Sequence, residues 1–283
     1  MFKTRELRQE DLKKNITASI HTDVGCVRET NEDSVSHIIP RDDEMLKRRG
    51  TLTVVADGMG GHASGEIASK MAVELISSYY YGDRDHSPDD ALVIAIEQAN
   101  SDIYEASVSD EKYYGMGTTV IAFVILEDRA YSAHVGDSRL YHMNGRDLEL
   151  LTIDHSEVME LVKQGILSME EAANHEDKNV ILQALGTKPE VNVEVSVPLP
   201  VNLYDEFLLC SDGLSDMVSD EEIARIWFEA DDIYYACKDL INQAKINGGH
   251  DNVSVGIIRI EPEEKQKSGG AIRQTREIKA IAQ

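Results

Sequence analysis

Four apolar, β-favouring runs in this chain carry a carboxylate at one lip with glycine close by, and that recurrence restricts the folds open to it. "TLTVVADGMGGHASGE" (51–66) carries Leu52, Val54 and Val55 into Asp57 and Gly58. "YSAHVGDSRLY" ends its apolar segment at Gly136-Asp137, and "EFLLCSDGLSD" ends at Asp212-Gly213 with Asp216 close behind. "NGGHDNVSVGIIRI" sets Asp251 at the entrance of a strand. Any one of these reads as a turn, because Asp-Gly is among the commonest turn dipeptides. Four together can be gathered at one end of a layered sheet, and carboxylates so gathered repel one another unless cations lie between them. Glycine lets the backbone approach a ligand closely. A donor set of oxygen alone favours hard ions, Mg²⁺ or Mn²⁺, over zinc.

"HTDVGCVRETNEDS" (21–34) adds Asp23, Glu32 and Asp33 as further oxygen donors, and Arg28 as a lone cation among acids. Such an arginine is either a surface ion-pair partner or, beside a metal-carboxylate site, a fork for phosphate. The whole chain carries 28 basic and 52 acidic residues. Residues 1–14 and 262–283 each hold five basic and three acidic ones, which leaves 18 against 46 in residues 15–261, a net of −28. A body of that sign repels nucleic acid and anionic membrane. No apolar stretch approaches the ~20 residues of a membrane span. "MFKTRELRQEDLKKN" lacks the apolar core of a signal peptide, and Cys26, Cys210 and Cys237 form neither a metal pair nor a disulfide framework. A cytoplasmic setting is expected.

The 283 residues suit one large domain or two small ones. We expect a lead-in over 1–14, a domain over 15–261, and a polar tail with a Gly-Gly hinge over 262–283. Ile67, Met71, Leu75 and Tyr79 recur every fourth residue, which predicts a helix over 64–80. "SPDDALVIAIEQANSDIYEA" opens with a Ser cap and Pro88 in the first turn. Ser168 with Glu171 and Ser219 with Glu222 fit the capping box. Strands are predicted at 17–21, 51–56, 118–126, 130–135, 138–143, 191–197, 205–210 and 253–260. Strands in clusters and helices in blocks imply a layered α+β fold.

The ordered set "GCVRETNEDS", "VVADGMGGH", "GMGTT", "AHVGDSRLY", "LTIDHS", "LLCSDGLSD" and "GGHDNVSV" resembles the metal-dependent serine/threonine protein phosphatases of type 2C, in their bacterial branch. The likeness runs from about Thr17 to Ile260. It implies an α+β fold: a central β-sandwich of two antiparallel sheets flanked by helices, in α-β-β-α layers, with a helical flap at about 153–190 beside the site. It also implies roles. Asp57 bridges two metal ions and Gly58 lends one of them a carbonyl. Glu32 supports the water shell of one ion, and Asp212 and Asp251 bind the other. Asp33 orients metal-bound water, and Arg28 grips the phosphate. Asp137 and Asp216, with Asp212, hold a weaker third ion; the alternative for Asp216 is a cap on a helix entering at 216–228. Asn252 shapes the strand entrance, while Ser138 and Arg139 hold a turn.

Two ions of Mn²⁺ or Mg²⁺ sharing a water bring its pKa toward neutrality, so that a bridging hydroxide attacks the ester without a covalent intermediate. None of the three cysteines starts a Cys-x₅-Arg loop, and no Walker-type loop is present. Met59 stands where animal relatives place a proton-donating His. His62 is the candidate side-chain donor, with a metal-bound water as the alternative. Gln183 stands where bacterial relatives commonly carry Arg. The expected partners are phosphorylated proteins, substrates of a Ser/Thr kinase, acted on by a monomer. Two other functions stay open at this level: a non-catalytic regulatory binder, and a metal-dependent hydrolase of small phosphate esters.

Overall fold

The computed structural model describes residues 14–60, 64–263 and 278–279. Strands β1 (Lys14–Asp23) and β2 (Asp33–Ile38) lead into the short helix α1 (Asp43–Arg49) and strand β3 (Thr51–Met59). Helices α2 (Ser64–Gly82) and α3 (Pro88–Ser109) precede β4 (Gly117–Thr118), β5 (Val120–Leu126), β6 (Arg129–Val135), β7 (Arg139–Asn144) and β8 (Asp147–Leu150). Next come α4 (Glu157–Lys163), α5 (Met169–Ala173), β9 (Glu194–Val195), β10 (Leu199–Pro200) and β11 (Glu206–Cys210). The chain continues through α6 (Asp212–Ser215), α7 (Asp220–Glu229), α8 (Ile233–Ile246), β12 (Val253–Pro262) and β13 (Ile278–Lys279).

Two antiparallel sheets result. One runs β1-β12-β11-β7-β8; the other runs β10-β6-β5-β3-β2-β13, with β4 on β3 and β9 on β6. Successive side chains of a strand point to opposite faces, and here both faces are covered, so the strands read as continuous apolar runs. Val54 packs under α2 and α3 while its neighbour Val55 faces the other sheet. Leu208 and Ile257 meet α7 and α8, and the adjacent Leu209 and Ile258 fill the space between the sheets with Phe123 and Phe207. The layers are therefore α-β-β-α, as the resemblance implied. Among the described residues, no helix is long and apolar enough to cross a membrane.

Several local readings need correction. The strand expected at 191–197 is reduced to Glu194–Val195. Strand β2, "DSVSHI", was not anticipated: its polar Ser34, Ser36 and His37 hide the pattern, yet Ser34 bonds Ser69 at 3.0 Å and His37 bonds Thr53 at 2.8 Å. The helix expected over 216–228 begins at Asp220 with Ser219 as its cap, and Asp216 instead follows the short helix α6. Ser168 and Glu171 form a complete capping box. Ser219 accepts from the Glu222 N–H. The lead-in over 1–13 and the Gly-Gly hinge lie outside the described residues. Of the tail, Pro262 belongs to β12, and Ile278–Lys279 pair with His37 and Ser36 on β2.

Candidate metal and phosphate site

The strand ends that carry the acids come to one pole of the sandwich. Asp57 lies near the end of β3 and faces Asp33, the first residue of β2, in register. On the other sheet Cys210 of β11 pairs with both Arg139 and Val255, which brings Asp212, Asp137 and Asp251 to the same edge. The strand expected to end at 56 runs on to Met59, and its backbone at Asp57 is fixed from β4 onward: the Thr118 hydroxyl and the Thr119 N–H both donate to the Asp57 carbonyl at 2.9 Å. Gly58 allows a close approach in the site. A Cβ there would lie 2.2 Å from the Gly65 carbonyl oxygen and 2.5 Å from that of Glu32. At Gly65, in the first turn of α2, a Cβ would lie 2.9 Å from the Glu32 carboxylate. Glu32 is thus seated against the first turn of α2, and burial, opposed by Arg28, holds its carboxyl above the ordinary range.

Asn252 braces this region. Its carboxamide oxygen accepts from the Glu32 N–H at 2.8 Å, and its NH₂ donates to the carbonyls of Val24 and Thr30 at 3.0 and 2.9 Å. Asp33 is held by the hydroxyls of Ser211 and Ser254, at 2.8 and 2.6 Å, both donating to Oδ2. These two serines were not anticipated; the only signal was a hydroxyl residue flanking each acidic motif, in "CSDG" and "DNVS". Arg28 bonds Asp251 at 2.8 Å, with about half its side chain in solvent.

The carboxylates are costly as they stand. Burial first, then the charges of Asp33 and Asp212, push the Asp57 carboxyl well above the usual range. Asp212 is raised by burial and by Asp137. Asp33 is pushed up to about 6 by burial, and Asp137 to about 7 by burial and by Asp154. Oδ1 of Asp33, Asp137 and Asp212 is buried with no hydrogen-bond partner among the described residues. Buried polar atoms are ordinarily satisfied. A crowded set of oxygen donors with unpartnered atoms fits hard divalent cations.

Other residues serve structure. Asp23 accepts from the Gly25 N–H at 2.9 Å and from Lys245 at 2.8 Å. Arg139 pairs with Asp154 at 2.7 Å, and Ser138 bonds Thr119 at 2.8 Å. Gln183 accepts from the Asn192 N–H at 3.2 Å. His62 lies outside the described residues. His134, His155 and Glu194 form a separate cluster. There His155 Nδ1 accepts from the Gly136 N–H, so its proton sits on Nε2, facing Glu194 at 3.3 Å. That arrangement leaves no lone pair on Nε2 for a cation, and it buttresses the Gly136-Asp137 turn. Asp216 is engaged by the flap: Lys178 reaches Oδ1 at 3.1 Å and Asn179 reaches Oδ2 at 2.7 Å. Neither flap residue had been singled out in the sequence.

Layering and site together define a metal-dependent hydrolase scaffold, and comparison with known proteins agrees. The protein phosphatase 2C family matches residues 34–234. The chain is 35% identical over 258 residues to "Serine/threonine phosphatase stp" of Listeria monocytogenes serotype 4b (strain F2365), covering 88% of this chain and 97% of that protein. It is similar to the crystal structure of serine/threonine phosphatase Stp1 from Staphylococcus aureus, with TM-score 0.80, 33% identity, and 92% and 100% of the two chains covered. The catalytic domain of serine threonine protein phosphatase PstP, crystallised in complex with two manganese ions, matches with TM-score 0.74, 31% identity, and 88% and 100% covered. The chain belongs to the protein phosphatase 2C family, in its bacterial branch, and is a metal-dependent protein serine/threonine phosphatase.

Proposed function

We propose that this chain hydrolyses phosphoserine and phosphothreonine in proteins by direct attack of water, within a catalytic domain over 15–261 whose flap spans 153–190. The observation that carries the reading is the set of unpartnered carboxylate oxygens on Asp33, Asp137 and Asp212 at one pole of the sandwich. Asp57, Asp212, Asp251 and Glu32, with the Gly58 carbonyl, would hold two ions of Mn²⁺ or Mg²⁺, and Asp137 with Asp216 a weaker third. When bound, such ions supply Lewis-acid activation of water and of the phosphoryl oxygens.

The chain's own groups do the rest. Arg28, half in solvent, exchanges Asp251 for the substrate's phosphoryl oxygens and fixes the ester in the cleft. Asp33, clamped by two hydroxyls on Oδ2, keeps Oδ1 free to accept a hydrogen bond from the attacking water and so to orient it. The new P–O bond forms as the ester P–O bond breaks, and the departing serine or threonine oxygen takes up a proton from His62 or from water. Burial holds the Cys210 thiol far above its ordinary pKa and pushes the Cys237 thiol up to about 12, so neither is the nucleophile. The protein acts as a cytoplasmic monomer on targets of a Ser/Thr kinase.

Manganese-dependent turnover of a phosphothreonine peptide against p-nitrophenyl phosphate tests the reading. We expect a higher kcat/KM for the peptide. No turnover of either, with Mn²⁺ bound, would identify a regulatory binder, and a preference for the small ester would identify the small-molecule hydrolase.

A further inference from the structure

The flap ends on the acid that the third ion needs. Between α5 and β9 the chain returns to the body in an extended pass, with the Glu157 N–H on the Val180 carbonyl at 2.9 Å and the Leu182 N–H on that of His155 at 2.7 Å. Just ahead of that pass, Lys178 and Asn179 reach across to Asp216, from a segment 38 and 37 residues away in sequence. Each takes a different oxygen, so both carboxylate oxygens of Asp216 accept a hydrogen bond from this segment. Asp216 is also close enough to Asp137 and Asp212 to repel both. An ammonium group therefore sits at the edge of an acidic cluster that calls for positive charge.

We propose that Lys178 and Asn179 compete with the third divalent ion for Asp216, so that flap docking and filling of that site exclude each other. The flap is latched when the ion is absent and released when it binds. The proposal rests on the reading of Asp137 and Asp216 as third-ion ligands given above. The ammonium is the chain's own substitute for the cation, and Asn179 adds a neutral contact that orients the carboxylate. Because Lys178 and Asp216 are both partly solvent-exposed, the latch is weak, and an ion of modest affinity can open it.

The test uses the full chain and Mn²⁺ alone. Calorimetry counts the ions, and hydrogen exchange follows the amides of α4 and α5. In the wild type, flap amides should exchange faster as Mn²⁺ rises, with the midpoint of the weak site rather than of the tight pair. Asn179→Ala removes no charge and should still tighten the weak site; with Lys178→Ala added the gain should reach roughly fivefold. In that double variant the flap should exchange rapidly from the start. Asp216→Asn should loosen the flap without any metal and abolish the weak site. Filling of the weak site with no change in flap exchange overturns the proposal, as does Asn179→Ala with unaltered affinity or the absence of a weak site in every variant. Absence of the tight pair would instead refute the two-ion reading, a separate outcome.

Discussion

Asp33 and Asp57 stand directly opposite each other across β2 and β3, two carboxyls paired where one would expect a single charge. Like charges in register on neighbouring strands are destabilising, and both groups are held above the ordinary carboxylate range by burial. The pair is an expense of folding that the Ser211 and Ser254 hydroxyls on Asp33 offset only in part. Asp57→Asn should therefore have two opposite effects. Turnover at saturating Mn²⁺ should fall below roughly 1%, while the metal-free protein should melt higher than the wild type at pH 8. Assay and thermal melts in chelator read the two separately; substantial residual activity would remove Asp57 from the centre.

Arg28→Ala should raise KM for a phosphopeptide by roughly tenfold and change kcat less, since a clamp on phosphoryl oxygens serves ground and transition states alike. Steady-state kinetics at fixed, saturating Mn²⁺ give the split. A loss confined to kcat would assign Arg28 to the transition state instead.

Asp137→Ala should cut activity by at least roughly tenfold while leaving about two tight Mn²⁺ per chain by calorimetry. Full activity with an unchanged titration would leave Asp137 as a turn residue, braced by Gly136 and His155.

His37 supplies a pH test away from the site. Its ring is buried in β2 with Nδ1 on the Thr53 hydroxyl, and burial lowers its pKa to about 4 from the ordinary 6.5. A histidine depressed on folding contributes stability that is present above pH 6.5 and lost as the pH falls toward 4, about 3 kcal/mol in all. His37→Asn keeps a donor for Thr53 but does not titrate. Urea midpoints in chelator should therefore converge between wild type and variant as the pH is lowered through that window. Parallel curves would show that the ring is not held neutral.

Four acids of the site were legible because each stands at one end of an apolar run, and apolar runs announce strands. Asp57, Asp137, Asp212 and Asp251 could be picked out in this way, and helices α2 and α3 by their spacing and the Ser87 cap. Strand β2 was not legible, since three of its four buried side chains, Asp33, Ser36 and His37, are polar, and the partners of Asp33 and His37 come from distant segments of the chain. The same holds for Ser211, Ser254, Lys178 and Asn179. Each acts through a contact spanning between 37 and 221 residues, and no local pattern encodes such a meeting. Apolar alternation tells which residues are covered, not which sheet covers them, so the sandwich itself came from the resemblance.

Asn252 ties the loop before β2 to the entrance of β12, and through the Glu32 carbonyl, which accepts from the Gly58 N–H at 3.1 Å, that brace extends to β3. Strand β12 comes late in the chain and is central to its sheet, between β1 and β11. On the ribosome the N-terminal segments emerge first, yet the Val24 and Thr30 carbonyls and the Glu32 N–H gain their shared brace only when residue 252 has been made and docked. The bracing of this loop is thus deferred until β12 has been made. A nascent chain carrying Asp57, and even Asp212, still lacks the contact that fixes the Glu32 backbone.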